Sequence, residues 1–194
     1  MSDLVIGADE VARCRWAGVG GAYAEYHDGE WGRTVHGDDA MFERLALEGF
    51  QSGLAWITIL RKREAFRAAF SGFVIDKVAA YTDQEVERLL GDAGIVRSRA
   101  KIEAAIGNAR VVLELPGGLD AFLWSFAPEP RTAAQRPRSF ADVPAVTDES
   151  TAMAKALKKL GVKFVGPTTA YALMQATGMV DDHLVGCVRG SERA

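Results

Sequence analysis

The chain predicts an all-α protein folded as a single domain, and three observations carry that expectation. Apolar residues recur at helical spacing along most of its length, no convincing stretch alternates apolar and polar residues as a half-buried strand does, and glycine and proline punctuate the points where the periodicity stops. With 194 residues and a 48% apolar fraction, one sizeable core is attainable and two independent ones are not favoured. The domain is expected over residues 11–190, with 1–10 as an N-terminal extension that is disordered or packs weakly and 191–194 as a C-terminal tail.

The elements follow in chain order. Phe42, Leu45, Ala46 and Gly49 share one face of a helix that Asp38 or Asp39 can cap, and Trp56, Leu60, Phe66 and Phe70 mark a second. Thr82 with Glu85 three residues on predicts a capping box ahead of Val86, Leu89 and Leu90. Gly94 and Gly178 read as helix stops. Ile102, Ala105, Ile106, Ala109, Val112 and Leu113 mark a further long helix, closed by Pro116-Gly117-Gly118. From Pro128 to Pro144, four prolines with Arg131, Arg136 and Arg138 read as an extended surface loop. Beyond it come a helix through Ala152, Ala156, Leu157 and Leu160, a glycine-bearing hairpin from Gly161 to Gly166, and a helix opened by Pro167 at its first position. No internal repeat is present.

Charge and composition narrow the function classes. A net charge of −3 creates no global field that would drive the protein onto nucleic acid, so any polyanion contact must come from local patches or backbone amides. No run of about 18 apolar residues is available to span a bilayer, and the first ten residues, with Asp3, Asp9 and Glu10, lack the basic-then-apolar order of a secretory signal. The expected compartment is the cytoplasm, where a disulfide is the less favoured use of the two cysteines, Cys14 and Cys187.

Those cysteines have informative neighbours. Cys14 precedes His27, and His183 stands four residues before Cys187, which on a helix puts both side chains on one face. The set offers two sulfurs and two imidazoles, the tetrahedral donor set that zinc takes in closed structural sites. Spacing alone leaves open the plainer reading of buried thiols and unrelated histidines. His36, the third histidine, reads as a solvated loop residue. A closed four-ligand site also argues against a zinc hydrolase, which needs an open metal position.

The segment from Gly161 to Leu173 is a second point of interest. A turn ending at Gly166 feeds a helix whose first amides lie beside Thr168 and Thr169, an arrangement suited to phosphate, although plain helix initiation is the commoner reason for a Gly-Pro start. Lys155, Lys158, Lys159 and Lys163 add positive charge, and Arg97, Arg99 and Lys101 follow Gly94 in what reads as a second hairpin.

Taken together with Val180-Asp181-Asp182-His183, this segment resembles the helix-hairpin-helix signature of the DNA glycosylase superfamily. Cys14-Arg15-Trp16, Tyr23, Tyr26-His27-Asp28, Glu30-Trp31-Gly32, Leu47-Glu48-Gly49, Gly53-Leu54-Ala55-Trp56, Gly107-Asn108-Ala109-Arg110, Lys163-Phe164-Val165-Gly166 and Gly186-Cys187 are similar to the 3-methyladenine DNA glycosylase I family. The likeness runs over nearly the whole chain.

That resemblance implies a helix-hairpin-helix DNA glycosylase-like helical domain whose N- and C-terminal segments are joined by one structural zinc ion on Cys14, His27, His183 and Cys187. It implies hydrolysis of the N-glycosidic bond of 3-methyladenine in alkylated double-stranded DNA, acting on a flipped base and leaving an abasic site. Glu48 matches the carboxylate that reads the base, with Tyr26 and Trp56 as pocket walls and Trp16 and Tyr23 beside them. Leu54, after Gly53, matches an apolar wedge, and Lys163, Gly166, Thr168 and Thr169 match the hairpin that grips the DNA backbone. Bifunctional members carry a lysine where this chain has Thr168, so lyase activity is not expected. Asp181 occupies the place of the superfamily's catalytic aspartate, where the closer family often has asparagine; it can serve as a fixed anion near the sugar or cap the segment carrying His183.

The residue types fit that chemistry in their own right. A base taken from the stack needs aromatic faces to replace its lost contacts, and a carboxylate adds discrimination. The competing reading is a helix-hairpin-helix binder that recognises DNA without cutting it, against which stands an acid inside a base pocket. A monomer is expected, with no membrane partner.

Overall fold

The computed structural model describes residues 2–191. Its helices are α1 (Ala22–Gly29), α2 (Asp38–Gln51), α3 (Trp56–Ala69), α4 (Ile75–Ala79), α5 (Asp83–Gly91), α6 (Arg99–Leu113), α7 (Gly118–Trp124), α8 (Asp148–Leu160) and α9 (Pro167–Ala176). The C-terminal tail expected over 191–194 lies, for 192–194, outside the described residues. No helix of the described residues is long and apolar enough to cross a membrane.

Helix α2 is the spine of the core. Phe42, Leu45, Leu47 and Phe50 are almost wholly buried, and the helix touches α3, α6, α7 and α9. Because it is enclosed on several sides, its buried residues are not confined to a single stripe. Phe50, Phe66, Phe70 and Phe73 form a stack of rings, with Phe70 and Phe73 5.4 Å apart and nearly parallel. Each such ring removes a large apolar area from water, which is worth about 1.5–3 kcal/mol per side chain.

The N-terminal segment departs from expectation. Residues Leu4–Ile6 (β1) and Ala12–Cys14 (β2) pair as an antiparallel hairpin, with Leu4 opposite Cys14. The segment is tied down by Arg13, which bridges Asp9 at 2.7 Å and Asp28 at 2.8 Å, and by the Asp3 carboxylate, which accepts from the Phe140 amide at 3.0 Å. Three-residue strands are too short to show alternation, so the pattern had nothing to register.

Helix starts also differ in detail. Thr82 lies at the N-terminus of α5, but its side chain makes no cap bond, and Glu85 pairs with Arg88 at 2.6 Å instead. Gly37 is the N-cap of α2; Asp39 accepts from the Ile75 amide at the start of α4, and Asp38 from the Asp120 amide in the first turn of α7. The two acids therefore serve neighbouring helices rather than their own. Thr147 and Ser150 make the reciprocal box that opens α8. His36 is exposed, as expected, with its ring nitrogen 3.1 Å from Asp120. Gly178 follows α9 with φ of 73°, and a Cβ there would lie 2.6 Å from the Arg33 carbonyl carbon, so a side chain would break that contact.

Two further segments are positioned rather than loose. The proline-rich stretch folds into short 3-10 turns and docks on residues 181–185, with Arg131 on Asp182, Arg136 on Asp181, and the Val185 amide donating to the Pro137 carbonyl at 2.9 Å. After Gly94 the chain makes a turn, and Arg99 already begins α6. Lys101 on that helix points back to the carbonyls of Phe50 and Ser52, neutralising the negative end of α2.

Candidate functional site

Four side chains that the sequence sets far apart converge behind α1. Potential ligand atoms of Cys14, His27, His183 and Cys187 all lie within 4.8 Å of one another, and all four residues are buried. Each imidazole has one nitrogen committed elsewhere. His27 donates from Nδ1 to Asp28 at 2.7 Å, which leaves Nε2 facing Cys187 Sγ at 3.4 Å. His183 donates from Nε2 to the Trp31 carbonyl at 3.1 Å, leaving Nδ1 toward Cys187 Sγ at 3.7 Å. Such outer bonds fix the tautomer and ring orientation of metal-binding histidines. A hydrogen bond from Cys14 holds the Cys187 thiol well below its ordinary range and raises that of Cys14 itself. The donor set and its closure fit a structural metal ion.

The cluster is wired to a cavity beside it. Trp16 meets the His27 ring at 5.3 Å and Trp31 at 4.9 Å, and Trp31 meets His183 at 4.6 Å. Trp16 and Trp31 also line a cavity of about 290 Å³, together with Tyr23, Tyr26, Glu48 and Trp56. Tyr26 and Trp56 sit 5.5 Å apart with tilted rings. The Tyr23 hydroxyl accepts from the Ile57 amide at 3.1 Å, so it also anchors the first turn of α3 on which Trp56 stands.

Glu48 is the electrostatic centre of this wall. It is 5% exposed, its Oε2 has no hydrogen-bond partner, and the indole Nε1 of Trp56 is likewise buried without one. Burial pushes the Glu48 carboxyl up to about 8, because removal from bulk solvent disfavours the charged form. Two unpaired polar groups in an aromatic-walled cavity cost free energy unless a ligand pairs with them. The same wall raises the Tyr26 phenol, through burial first and the Glu48 charge second.

Comparison with known proteins decides the family. The profile of the methyladenine glycosylase family matches residues 16–190. The chain belongs to that family. DNA-3-methyladenine glycosylase 1 of Escherichia coli K12 is 47% identical over 178 residues, covering 90% of this chain and 95% of the relative. A crystal structure of 3-methyladenine DNA glycosylase I superposes with a TM-score of 0.85 at 45% identity, covering 91% of this chain and 98% of the other. The Staphylococcus aureus enzyme, in a structure concerned with 3-methyladenine recognition, gives 0.87 at 35% identity, covering 94% and 98%.

Within this family member, the sequence-derived positions fall into three groups. Cys14, His27, His183 and Cys187 form the cluster, and Trp16, Tyr23, Tyr26, Glu48 and Trp56 share the cavity. Leu54 is outside it, 40% exposed on the turn between α2 and α3, where Gly53 has φ of 79°. Lys163, Gly166, Thr168 and Thr169 line a separate groove with Ser52 and Phe164. Gly161 ends α8 in a left-handed conformation, and Gly166 is the N-cap of α9 with Pro167 at its first turn.

Of the two roles left open for Asp181, the geometry matches a cap on the segment that carries His183 and not an anion in the cleft. The Asp181 Oδ1 accepts from the His183 amide at 3.1 Å and its Oδ2 pairs with Arg136 at 3.0 Å, so both oxygens are engaged and the residue lines a different groove. Asp182 faces the cavity instead, accepting from the Tyr171 hydroxyl at 2.6 Å and Gln175 Nε2 at 2.8 Å and paired with Arg131. Sequence reasoning also missed Phe140, Val143 and Gln175 on the cavity wall. The first two come from the proline-rich stretch, which composition marks as surface.

Proposed function

We infer that the protein is a base excision repair glycosylase that removes 3-methyladenine from alkylated DNA. The observation that carries this reading is the buried, partnerless Glu48 carboxyl set among aromatic faces beside the partnerless indole of Trp56. A flipped purine supplies both a π-face for Tyr26 and Trp56 and polar edge atoms for Glu48. With its carboxyl pushed up to about 8, Glu48 enters the cavity at neutral pH largely as the acid, able to donate one hydrogen bond and accept others.

Methylation at N3 places positive charge on the purine and weakens its bond to the sugar. The cavity therefore has to select and orient the base more than attack it. Water adds to C1′ and gives up a proton to solvent, the cationic purine departs as the neutral base with the bonding electrons at N9, and an abasic site remains. Thr168 stands where bifunctional superfamily members have lysine, so no amine is available there for a Schiff base, and the enzyme is monofunctional.

The buried Cys14, His27, His183 and Cys187 set supports zinc as the resident metal, held by two sulfurs and two nitrogens with no open position. Zinc there supplies a crosslink between the chain's two ends and no reacting group. Leu54 is the wedge that fills the opened duplex, and Lys163, Gly166, Thr168 and Thr169 hold the phosphate backbone as one arm of a helix-hairpin-helix. Residues 11–190 act as one domain, as a monomer in the cytoplasm.

The test is release of free bases from methylated duplex DNA by the wild type and Glu48→Ala, resolved by chromatography with strand-nicking controls. Selective release of 3-methyladenine without nicking, reduced in the variant, is expected. A folded, metal-loaded wild type that releases no base would leave a DNA-binding module as the better account.

A further inference from the structure

The cavity has a second polar feature besides Glu48. Asp182 is 2% exposed, and both of its oxygens have fixed partners: Oδ1 takes the Arg131 guanidinium, and Oδ2 accepts from the Tyr171 hydroxyl at 2.6 Å and from Gln175 Nε2 at 2.8 Å. Tyr171 and Gln175 stand four residues apart on α9, which brings both side chains to the face that meets this carboxylate. Of these groups, Asp182 and Gln175 line the cavity.

A carboxylate paired with a guanidinium accepts and does not donate, so it dictates which end of the Gln175 amide turns toward it. Turning the amide over would set Oε1 against Oδ2, oxygen to oxygen. The backbone is held as well, since the Gln175 carbonyl accepts at 3.1 Å from the amide of Gly32, the neighbour of the cavity residue Trp31. Among the described residues no group donates to the Gln175 Oε1. The cavity therefore holds an oriented acceptor that cannot exchange roles and become a donor.

The base limits what such an acceptor can meet. 3-Methyladenine joined to its sugar at N9 carries hydrogen on nitrogen at one place, the 6-amino group, while N1 and N7 only accept. A 3-methylated guanine has a carbonyl oxygen at that position, and an acceptor facing it loses a hydrogen bond and gains a repulsion.

We propose that Gln175 is a specificity-determining residue of the base cavity, whose Oε1 accepts from the 6-amino group of 3-methyladenine and disfavours the 6-carbonyl of 3-methylguanine. The proposal rests on the glycosylase reading above. Asp182 is a positioning residue in it: it touches no base atom and sets which end of the Gln175 amide the base encounters.

Tryptophan fluorescence reads the binding of free bases, because Trp16, Trp31 and Trp56 stand on the cavity. Free 3-methyladenine has its 6-amino group as its one N–H donor and 3-methylpurine has none, so these two bases with the wild type and Gln175→Met make a double-mutant cycle. Methionine keeps the length of the side chain and removes the amide. The variant is expected to bind 3-methyladenine about five- to tenfold more weakly and 3-methylpurine as the wild type does. From methylated duplex DNA it is expected to release more 3-methylguanine relative to 3-methyladenine. Asp182→Asn leaves an oxygen for Arg131 and presents an amide donor to Gln175, which turns the glutamine over so that Nε2 faces the base. That variant is expected to bind 3-methyladenine more weakly and 3-methylhypoxanthine, with its 6-carbonyl, more tightly.

An unchanged affinity of Gln175→Met for 3-methyladenine overturns the proposal, as does an equal loss for 3-methyladenine and 3-methylpurine, which marks a change in cavity shape. Should Gln175→Met fail to fold, Asp182→Asn carries the test, and an unchanged preference between 3-methyladenine and 3-methylhypoxanthine overturns it. A wild type that binds 3-methyladenine and releases none removes the glycosylase reading, while the binding cycle still decides the contact.

Discussion

Replacing Glu48 with glutamine should make the protein more stable, and by an amount that grows with pH. The carboxyl titrates near 8 in the folded protein because burial disfavours its charge, against an ordinary value of 4.5. The folded state therefore holds a proton that the unfolded chain releases between these values, and stability must fall as pH rises through that window. Below the ordinary value both states are protonated and the penalty vanishes. At pH 8 and above it approaches its limit, on the order of 5 kcal/mol at 1.36 kcal/mol per pH unit. Glutamine keeps the shape and hydrogen-bonding capacity and cannot ionise. Urea unfolding of metal-loaded wild type and Glu48→Gln at intervals from pH 5 to 8.5 gives the difference directly. The curves should converge at the acid end and separate upward, with the variant the more stable. A gap independent of pH, or a wild type that gains on the variant as pH rises, would refute an unpaired, buried carboxyl at this position.

Two further outcomes follow from the geometry. Removing metal with a chelator should lower base release sharply and shift tryptophan fluorescence, since Trp16 and Trp31 touch the cluster histidines, while far-UV circular dichroism keeps most of its helical signal; metal-free protein with full activity and an unchanged melting point would contradict this. Asp181→Asn should leave the single-turnover excision rate within about twofold of the wild type, because the side chain faces Arg136 and not the cavity, and should cost about 1–3 kcal/mol in stability by weakening a partly buried ion pair.

The helical architecture was readable because its signal is long-range and redundant. α2, α3 and α6 each run for 14 or 15 residues, enough turns for periodicity to stand out. What escaped reading was short or relational. The β1–β2 hairpin is too brief to show a period, and the acids at 38 and 39 cap helices that lie 82 and 36 residues further along the chain, respectively. At the site, membership of Tyr26, Glu48 and Trp56 was legible through the resemblance to the family, because residue type alone leaves them as ordinary core aromatics and a solvated acid. Phe140 and Val143 carry no such signal; they reach the cavity only because Arg131 and Arg136 dock a proline-rich stretch on Asp182 and Asp181. The neighbouring aspartates 181 and 182 show the limit most plainly, since one step along an extended segment turns a side chain from one groove to another.

The cavity's position explains why so small a Cys/His cluster can matter to it. The described residues form two apolar clusters of very unequal size. The larger holds the cores of α2, α3, α6, α8 and α9, and the smaller is Cys14, Leu184 and Cys187 with Leu4, Trp16, Phe140, Val143 and Val188 packed on it. The cavity lies on the seam between them: Trp56 is packed on the first, Trp16 and Phe140 on the second. Glu48 and Trp56 are thus held by a core large enough to be rigid without help. The opposite wall has only a few apolar side chains behind it, too little burial to fix aromatic rings by itself. A metal ion held by residues 14, 27, 183 and 187, as proposed above, would supply the missing rigidity. The cost of leaving Glu48 and Trp56 unpaired can then be recovered in binding only if that second wall is already in place when a base arrives, since ordering it at that moment would consume the gain.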